Sequence, residues 1–147
     1  TNESVKSFVE YVKANYRYDA ARVYLAGSSM GARVLTEFAA TYPAEQTGIV
    51  PMAGALVYDL NKKAKNIADY KVAAWLFHNE HDLTIPSAES KNFVNAVNRF
   101  SPAIPARITI FPTSDSPQEH DAWTIPTNPD YRENGKNIYE WMLQYRK

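Results

Sequence analysis

The stretch that decides the fold is RVYLAGSSMGARV, residues 22–34. Its first half, residues 22–27, is a short apolar run of strand-forming residues, and its second half opens a segment with helical periodicity. Between the two halves stands a Gly-Ser-Ser-Met-Gly segment, residues 27–31, although the whole chain has only 5 glycines. A G-x-S-x-G spacing between a strand and a helix predicts a sharp turn with Ser29 at its apex.

The two glycines of this segment have a steric explanation. In a turn this tight, the residues two before and two after the central serine crowd the strand and the helix, so we expect side chains at Gly27 and Gly31 to clash. The Ser29 hydroxyl would then stand above the carboxyl end of a sheet, at a helix N-terminus whose N–H groups favour negative charge. A plain strand–helix turn packed with small residues remains the alternative interpretation of the motif.

Apolar strands and amphipathic helices alternate along the rest of the chain. Helices are predicted over residues 4–16, 30–42, 87–100 and 134–146, and strands over residues 22–27, 48–55, 71–78 and 106–111. Residues 61–70 are either a short helix or a surface loop, and residues 112–130 are a predicted loop. Strands that are apolar throughout and separated by helices predict an α/β fold, a three-layer αβα arrangement with a mostly parallel sheet, in one domain over residues 1–147.

Several local features refine these elements. Ser4 and Ser87 are the expected N-caps of the first and third predicted helices. Pro51 lowers the strand propensity of residues 48–55, because proline has no N–H to donate to a neighbouring strand. The first helix is expected to bury one apolar stripe, formed by Val5, Phe8, Val9, Val12 and Tyr16.

Composition limits the classes of partner and cofactor. Lys+Arg and Asp+Glu are equal at 16 each, so the net charge is zero and gives no electrostatic reason to expect nucleic acid or an anionic membrane as a partner. No apolar run approaches the roughly 18 residues that span a bilayer. The absence of cysteine excludes disulfides and thiolate chemistry. The three histidines lack the regular spacing of metal sites, so we expect no metal and no other cofactor.

A serine nucleophile needs a base, and the base needs an orienting acid. In folds with this kind of strand–helix elbow, the partners follow in the order serine, acid, histidine. Asp82 lies just beyond the predicted strand KVAAWLFH, and His120 lies on the loop after the strand ARITIF. Because the carboxyl ends of parallel strands meet at one edge of the sheet, we expect Ser29, Asp82 and His120 to converge.

Other residues compete for the roles of base and acid. His78 ends its strand, where a hydrogen-bonded structural histidine is the simpler interpretation, and His81 adjoins Asp82, which hinders a shared triad. Asp121, the neighbour of His120, is an alternative acid that we expect either to support the site by its charge or to face water.

The elbow segment YDAARVYLAGSSMGARV resembles that of α/β-hydrolase esterases. It is similar to the group with feruloyl and acetyl-xylan esterases of carbohydrate esterase family one and polyhydroxybutyrate depolymerases. HNEHDLTIP resembles the acid segment of this group, and HDAW with IYEWMLQYR resembles its histidine segment and closing helix. The resemblance implies Ser29 as nucleophile, Asp82 as acid, His120 as base and the Met30 N–H as one oxyanion donor. It also implies hydrolysis of carboxylic esters, such as acyl or feruloyl esters of carbohydrates, through an acyl-enzyme.

The chain departs from the group in three residues and in extent. Asn79 stands where glycine is usual, and Ala32 and Arg33 stand where a second glycine and a small residue are common. Arg33, near the elbow, either pairs with a carboxylate or faces solvent. The resemblance also implies strands and a helix before the position of residue 1, and a loop with the second oxyanion donor, for which we find no counterpart in this sequence. We therefore expect the carboxyl-terminal part of such a domain, with the elbow strand at a sheet edge. A retained N-terminal fragment, a homodimer across that edge, or a truncated form of low activity would each follow.

Two further functional hypotheses stay open from the sequence. A peptidase of the prolyl oligopeptidase type shares these motifs. A truncated hydrolase scaffold that binds or oligomerises without catalysis is the non-enzymatic alternative. The resemblance is compatible with a secreted or periplasmic location, and the chain itself does not decide the compartment.

Overall fold

The computed structural model describes residues 1–113, 115 and 119–147. Within this part of the chain, the helices are α1 (Asn2–Asn15), α2 (Met30–Thr41), α3 (Leu60–Asp69), α4 (Ala88–Asn98), α5 (Thr124–Thr127) and α6 (Ile138–Leu143). The strands are β1 (Tyr24–Ser28), β2 (Gly48–Met52), β3 (Ala73–Asn79) and β4 (Arg107–Phe111). Residues 114 and 116–118 of the predicted loop lie outside the described residues.

The sheet is parallel throughout, with the strand order β1-β2-β3-β4. Helices α2, α3 and α4 bury their apolar residues against one face of the sheet. Helix α6 packs on the other face. The predicted fold class, an α/β arrangement with a parallel sheet between helical layers, is confirmed.

Strand β3 shows how one sequence serves both faces of the sheet. Neighbouring side chains of a strand point to opposite faces. Ala74 and Leu76 accordingly belong to the cluster with α2, α3 and α4, while Trp75 and Phe77 belong to the cluster with α6. All seven residues of β3 are buried, so the side chains at its carboxyl end project from a well-packed strand.

Strand β2 is shorter than the prediction over residues 48–55. It includes Pro51 and ends at Met52, because Ala53 takes a positive φ of 57° that breaks the extended backbone. In the pairing with β3, Gly48, Ile49 and Met52 have partners, and the intervening Val50 and Pro51 do not. Pro51 has no N–H to donate there. Residues 61–70, for which the sequence left two interpretations, lie almost entirely within helix α3.

The closing helix begins later than the predicted residue 134. Asn134 and Gly135 have positive φ values of 54° and 80° and form a turn between Glu133 and Lys136, whose backbones bridge. An Asn-Gly pair favours such a turn because both residues tolerate positive φ. Asn137 then caps α6, since its side-chain oxygen accepts the N–H of Glu140 at 2.8 Å.

One of the two predicted serine caps is wrong, and the other occupies the N-cap position without a capping hydrogen bond from its side chain. Helix α1 begins earlier, and the hydroxyl of Thr1 caps it by accepting the N–H of Ser4 at 3.2 Å. Ser87, before α4, has helical backbone angles and makes no capping hydrogen bond with its side chain. The apolar stripe of α1 is also only partly buried, because Phe8 and Tyr16 are 67% and 63% exposed.

Strand β1, which leads into the serine elbow, lies at an edge of this sheet. Its residues are not fully buried, in contrast to those of β2 and β3. None of the helices in the described ranges is both long enough and apolar enough to cross a membrane.

Candidate active site

The turn from β1 into α2 holds Ser29 in an unusual backbone conformation. Its φ of 55° and ψ of −120° lie outside the regions that residues with a side chain favour. Such a conformation costs on the order of 1–3 kcal/mol and needs support from its surroundings. The Ser29 N–H donates to the carbonyl of Met52 at 2.8 Å, and the Ser29 carbonyl accepts the N–H of Ala32 at 3.0 Å. The backbone of Ser29 is therefore hydrogen-bonded to the end of β2 on one side and to the first turn of α2 on the other.

The glycines around the elbow differ in their roles. A Cβ at Gly27 would lie 2.8 Å from the Leu35 Cδ2 and 3.0 Å from the backbone of Gly31, so the expected clash is present. At Gly31 the expected clash is absent. Apart from the backbone of its own helical turn, no atom of the described residues lies within 4 Å of the position that a Cβ would take. Gly54, which sequence reasoning missed, is the second crowded position, since its Cβ would lie 2.9 Å from the carbonyl oxygen of Ser29.

The structure brings together the three residues that the sequence pointed to. The Ser29 Oγ lies 2.8 Å from the His120 Nε2. The His120 Nδ1 lies 2.7 Å from the Asp82 Oδ2. With the Nδ1–H donating to the carboxylate, the Nε2 is left to accept the serine O–H. The side chain of His120 is 23% exposed and that of Asp82 is fully buried, so solvent can reach the imidazole and not the carboxylate.

Asp82 is held by the turn that follows β3. Its Oδ1 accepts the N–H groups of Thr84 and Ile85, each at 2.9 Å. Burial alone would raise the pKa of Asp82, but the hydrogen bonds from Ile85, His120 and Thr84 outweigh burial and hold that pKa below its ordinary value. The carboxylate is thus charged at neutral pH and directed at the imidazole.

His78 occupies the buried space behind Asp82. Its Nδ1 lies 2.7 Å from the Ser90 Oγ, and its Nε2 lies 2.8 Å from the Ile85 carbonyl and 3.2 Å from the Asp82 Oδ2. A carbonyl only accepts, so the Nε2 carries the hydrogen and the Nδ1 accepts from the serine. Burial lowers the pKa of His78, so the ring is neutral at neutral pH. This agrees with the structural interpretation of His78 as a hydrogen-bonded histidine at a strand end.

The other two alternatives have different surroundings. His81 is exposed. The Asp121 carboxylate accepts the N–H groups of Trp123 and Thr124 and the Thr124 hydroxyl. Burial would raise the pKa of Asp121, but the hydrogen bonds from Thr124 and Trp123 outweigh it and lower the pKa. Asp121 therefore shapes the loop that carries His120.

Two more residues contact His120 or its backbone neighbours, and neither contact was identified from the sequence. The Trp123 and His120 rings make a T-shaped contact at a centroid distance of 5.4 Å and an interplanar angle of 86°. Asn79, at the end of β3, donates from its side chain to the carbonyls of Glu119 and Asp121. The departure from glycine at position 79 was the signal in the sequence, but its partners lie some 40 residues away along the chain.

Arg33 pairs with a carboxylate, which is one of the two arrangements expected from the sequence. Its Nε donates to the Glu89 Oε2 at 3.1 Å, and its Nη2 makes a second contact with the Glu89 Oε1. The Glu89 Oε2 also accepts the N–H of Ala55 at 3.4 Å. The ion pair thus connects the first turn of α2, which follows the elbow, to α4 and to the segment after β2.

The N-terminus of α2 adjoins the serine. Met30 begins this helix, and N–H groups of a first helical turn have no partner four residues earlier. The Met30 N–H can therefore donate to a ligand oxygen beside Ser29. Within residues 1–113, 115 and 119–147, no group of three or more His, Asp or Glu side chains is placed to hold a metal ion.

Comparison with protein families shows which family the chain belongs to. Residues 1–120 match the model of the family described as Phospholipase/Carboxylesterase. A segment of 51 residues is 47% identical to Poly(3-hydroxyalkanoate) depolymerase C from Paucimonas lemoignei, which is 35% of this chain and 12% of that protein.

Solved structures show the same fold. A thermostable esterase superimposes with a TM-score of 0.78 and 23% identity, over 98% of this chain and 36% of the esterase chain. A CIB-like hydrolase from Thermoplasma acidophilum gives a TM-score of 0.57 and 23% identity, over 81% of this chain and 55% of the other. The chain thus spans about a third of the esterase and about an eighth of the depolymerase.

Proposed function

Because this chain belongs to the phospholipase/carboxylesterase family, we propose that it cleaves carboxylic esters as a serine hydrolase, through an acyl-enzyme. The observation that carries the proposal is the continuous line of hydrogen bonds from the Ser29 Oγ through the His120 ring to the Asp82 carboxylate. Ser29, His120 and Asp82 take the roles of nucleophile, base and acid.

In the acylation step, the Ser29 oxygen attacks the ester carbonyl carbon while the His120 Nε2 takes the hydroxyl proton. The imidazole becomes positively charged, and the ionised Asp82 at 2.7 Å stabilises that charge and keeps the ring oriented. The carbonyl oxygen becomes an oxyanion, to which the Met30 N–H donates. When the tetrahedral intermediate collapses, the alcohol leaves with the proton from the Nε2, and the acyl group stays on Ser29.

In the deacylation step, a water molecule replaces the alcohol. The His120 Nε2 removes a proton from the water as its oxygen attacks the acyl carbon, and the same proton then passes to the Ser29 oxygen as it leaves. The products are a carboxylic acid and the free enzyme. Since the His120 side chain is partly exposed, water has access to the base that this step requires.

Carboxylic esters form the proposed substrate class, and polyester and acyl-carbohydrate esters are the first members to test. The segment shared with a poly(3-hydroxyalkanoate) depolymerase favours the former, and the resemblance to feruloyl esterases favours the latter. Met30 and Leu83, the neighbours of Ser29 and Asp82 in the sequence, are 74% and 82% exposed. Exposed apolar side chains next to the site suit esters with an apolar acyl group.

A covalent probe tests this proposal directly. We expect a fluorophosphonate to label the chain, and Ser29→Ala to abolish labelling, because the probe reacts only with an activated serine. Ser28→Ala is the matched control, since it removes the adjacent hydroxyl at the end of β1 and leaves Ser29 in place. Retained labelling in Ser28→Ala, with p-nitrophenyl ester hydrolysis that follows the same pattern, supports the proposal.

Two outcomes would point to other functions. A folded chain that is not labelled would support the non-catalytic scaffold. Cleavage of p-nitroanilide amides as efficiently as of esters would support a peptidase of the prolyl oligopeptidase type.

A further inference from the structure

The last two residues of β3 serve opposite faces of the sheet. His78 contacts Ser90 in α4, whereas Asn79 contacts the loop that carries His120. This division follows from the alternation of side chains along a strand. Asn79 is only 2% exposed, so its carboxamide is committed to interactions within the protein.

The Asn79 carboxamide binds the backbone on both sides of His120. Its Nδ2 donates to the carbonyl of Asp121 at 2.9 Å and to the carbonyl of Glu119 at 3.3 Å. A side-chain amide nitrogen carries two hydrogens, one for each carbonyl. Residue 120 is thus attached from before and after to the end of a fully buried strand.

His120 depends on such an attachment because both of its ring nitrogens must be aligned at once. The Nδ1 reaches Asp82 at 2.7 Å and the Nε2 reaches Ser29 at 2.8 Å. Asp82 follows β3 and Ser29 follows β1, so neither side chain moves with the loop of residue 120. A displacement of the loop would lengthen one or both of these hydrogen bonds.

We propose that Asn79 is a positioning residue, which sets the imidazole of His120 in line with Ser29 and Asp82 through the backbone of the loop. The inference rests on the proposed function. A glycine at position 79, as is usual in the esterases that the sequence resembles, has no side chain to make these contacts. The alignment of the base in this chain therefore depends on a carboxamide.

Asn79→Ala and Asn79→Asp test this role, the first by removing the side chain and the second by replacing the donor group in the same shape. Asn98→Ala is the matched control. Asn98 also holds a backbone segment, since its Nδ2 donates to the Ala106 carbonyl at 3.0 Å and its Oδ1 accepts the Ala106 N–H at 2.8 Å. Ala106 precedes β4, at the end of the sheet opposite the site.

Three measurements are needed: the rate of fluorophosphonate labelling, the NMR signal of the His120 Nδ1 proton, and kcat and KM for ester hydrolysis. We expect both Asn79 variants to react about 10- to 100-fold more slowly, because small displacements of catalytic groups have effects of this size. In ester hydrolysis, kcat should fall while KM stays the same. The hydrogen-bonded Nδ1 proton should be lost or shifted, and Asn98→Ala should keep both the parent rate and the parent signal.

Equal labelling rates for both Asn79 variants and Asn98→Ala would overturn the inference. If the parent chain is not labelled at all, the proposed function fails, and the NMR signal then decides the role of Asn79 alone. Loss of the Nδ1 proton signal in the Asn79 variants, but not in Asn98→Ala, supports positioning. Its persistence in both Asn79 variants overturns it.

Discussion

The Asp82 carboxylate lies between two histidines: its Oδ2 is 2.7 Å from the His120 Nδ1 and 3.2 Å from the His78 Nε2. One histidine is partly exposed and faces the serine, and the other is completely buried. The same oxygen therefore lies within reach of a nitrogen of each ring, one in contact with solvent and one enclosed by the protein.

His78→Gln should weaken both stability and reactivity. The variant disturbs the contacts with Ser90, Ile85 and Asp82, and leaving buried polar groups unpaired costs about 1–3 kcal/mol in the free energy of unfolding. Urea denaturation and the rate of fluorophosphonate labelling would measure the two effects. Ser90→Ala is the control, because it removes the partner of the Nδ1 and keeps the Nε2 beside Asp82, so it should affect reactivity less. Unchanged stability in His78→Gln would contradict this prediction.

Stability should decline as the pH falls below about 6.5, the ordinary pKa of histidine. Burial lowers the pKa of His78, and this outweighs the hydrogen bond to Ile85 and the attraction of Asp82 and Glu89, which favour the proton. A folded-state pKa below the unfolded value means that the unfolded chain binds more protons in this range. The contribution of neutral His78 is therefore complete above that pH and is lost as the pH falls through the folded pKa.

Asp82 adds a second decline at lower pH. Its pKa lies below the ordinary 3.8, so its contribution is present above that pH and is lost as the pH falls through the folded value. Unfolding free energies measured across this range would show both declines. His78→Gln should remove the first and leave the second, and a stability that rises toward acid pH in the parent would contradict both.

Asp82→Asn should abolish most activity while the fold survives. The amide oxygen can still accept the N–H groups of Thr84 and Ile85. The amide nitrogen, however, would face the His120 Nδ1 as a donor and favour the wrong tautomer, and in a serine triad this loss is about 10⁴-fold in kcat. Ester hydrolysis and thermal unfolding would check the two halves, and near-normal turnover would show that Asp82 does not act as the acid.

The two glycines of the elbow motif should respond differently to alanine. Gly27→Ala places a methyl group 2.8 Å from Leu35 and 3.0 Å from the Gly31 backbone, so it should destabilise by about 1–3 kcal/mol. Gly31→Ala meets no described atom within 4 Å beyond its own turn, and alanine in place of glycine favours a helix by up to about 1 kcal/mol. Urea denaturation of both variants measures the difference, and equal destabilisation would contradict the prediction.

Much of the fold could be predicted because it depends on local pattern. Each of the four predicted strands has a counterpart in the sheet, and the predicted and observed strand ends differ by no more than three residues. The errors lie where single residues override a pattern. Ala53 ends β2 with its positive φ, and Asn134 and Gly135 form a turn where the sequence predicted the start of a helix.

The edge position of β1 agrees with expectation. A fragment or second copy bound at that edge stays a prediction, which the native molecular mass would test.

The sequence by itself determined the elbow and the order of the elements, because both follow from residues close together in the chain. It also identified Ser29, Asp82 and His120 as candidate site residues, because the carboxyl ends of parallel strands meet at one edge of the sheet. The tertiary structure alone decided the distances that join residues 38 and 91 positions apart. It also decided the burial of His78 beside Asp82 and the hydrogen bonds from Asn79 to the backbone on both sides of His120. Such contacts depend on how separate elements pack, and a pattern within one element carries no information about the atoms it will meet.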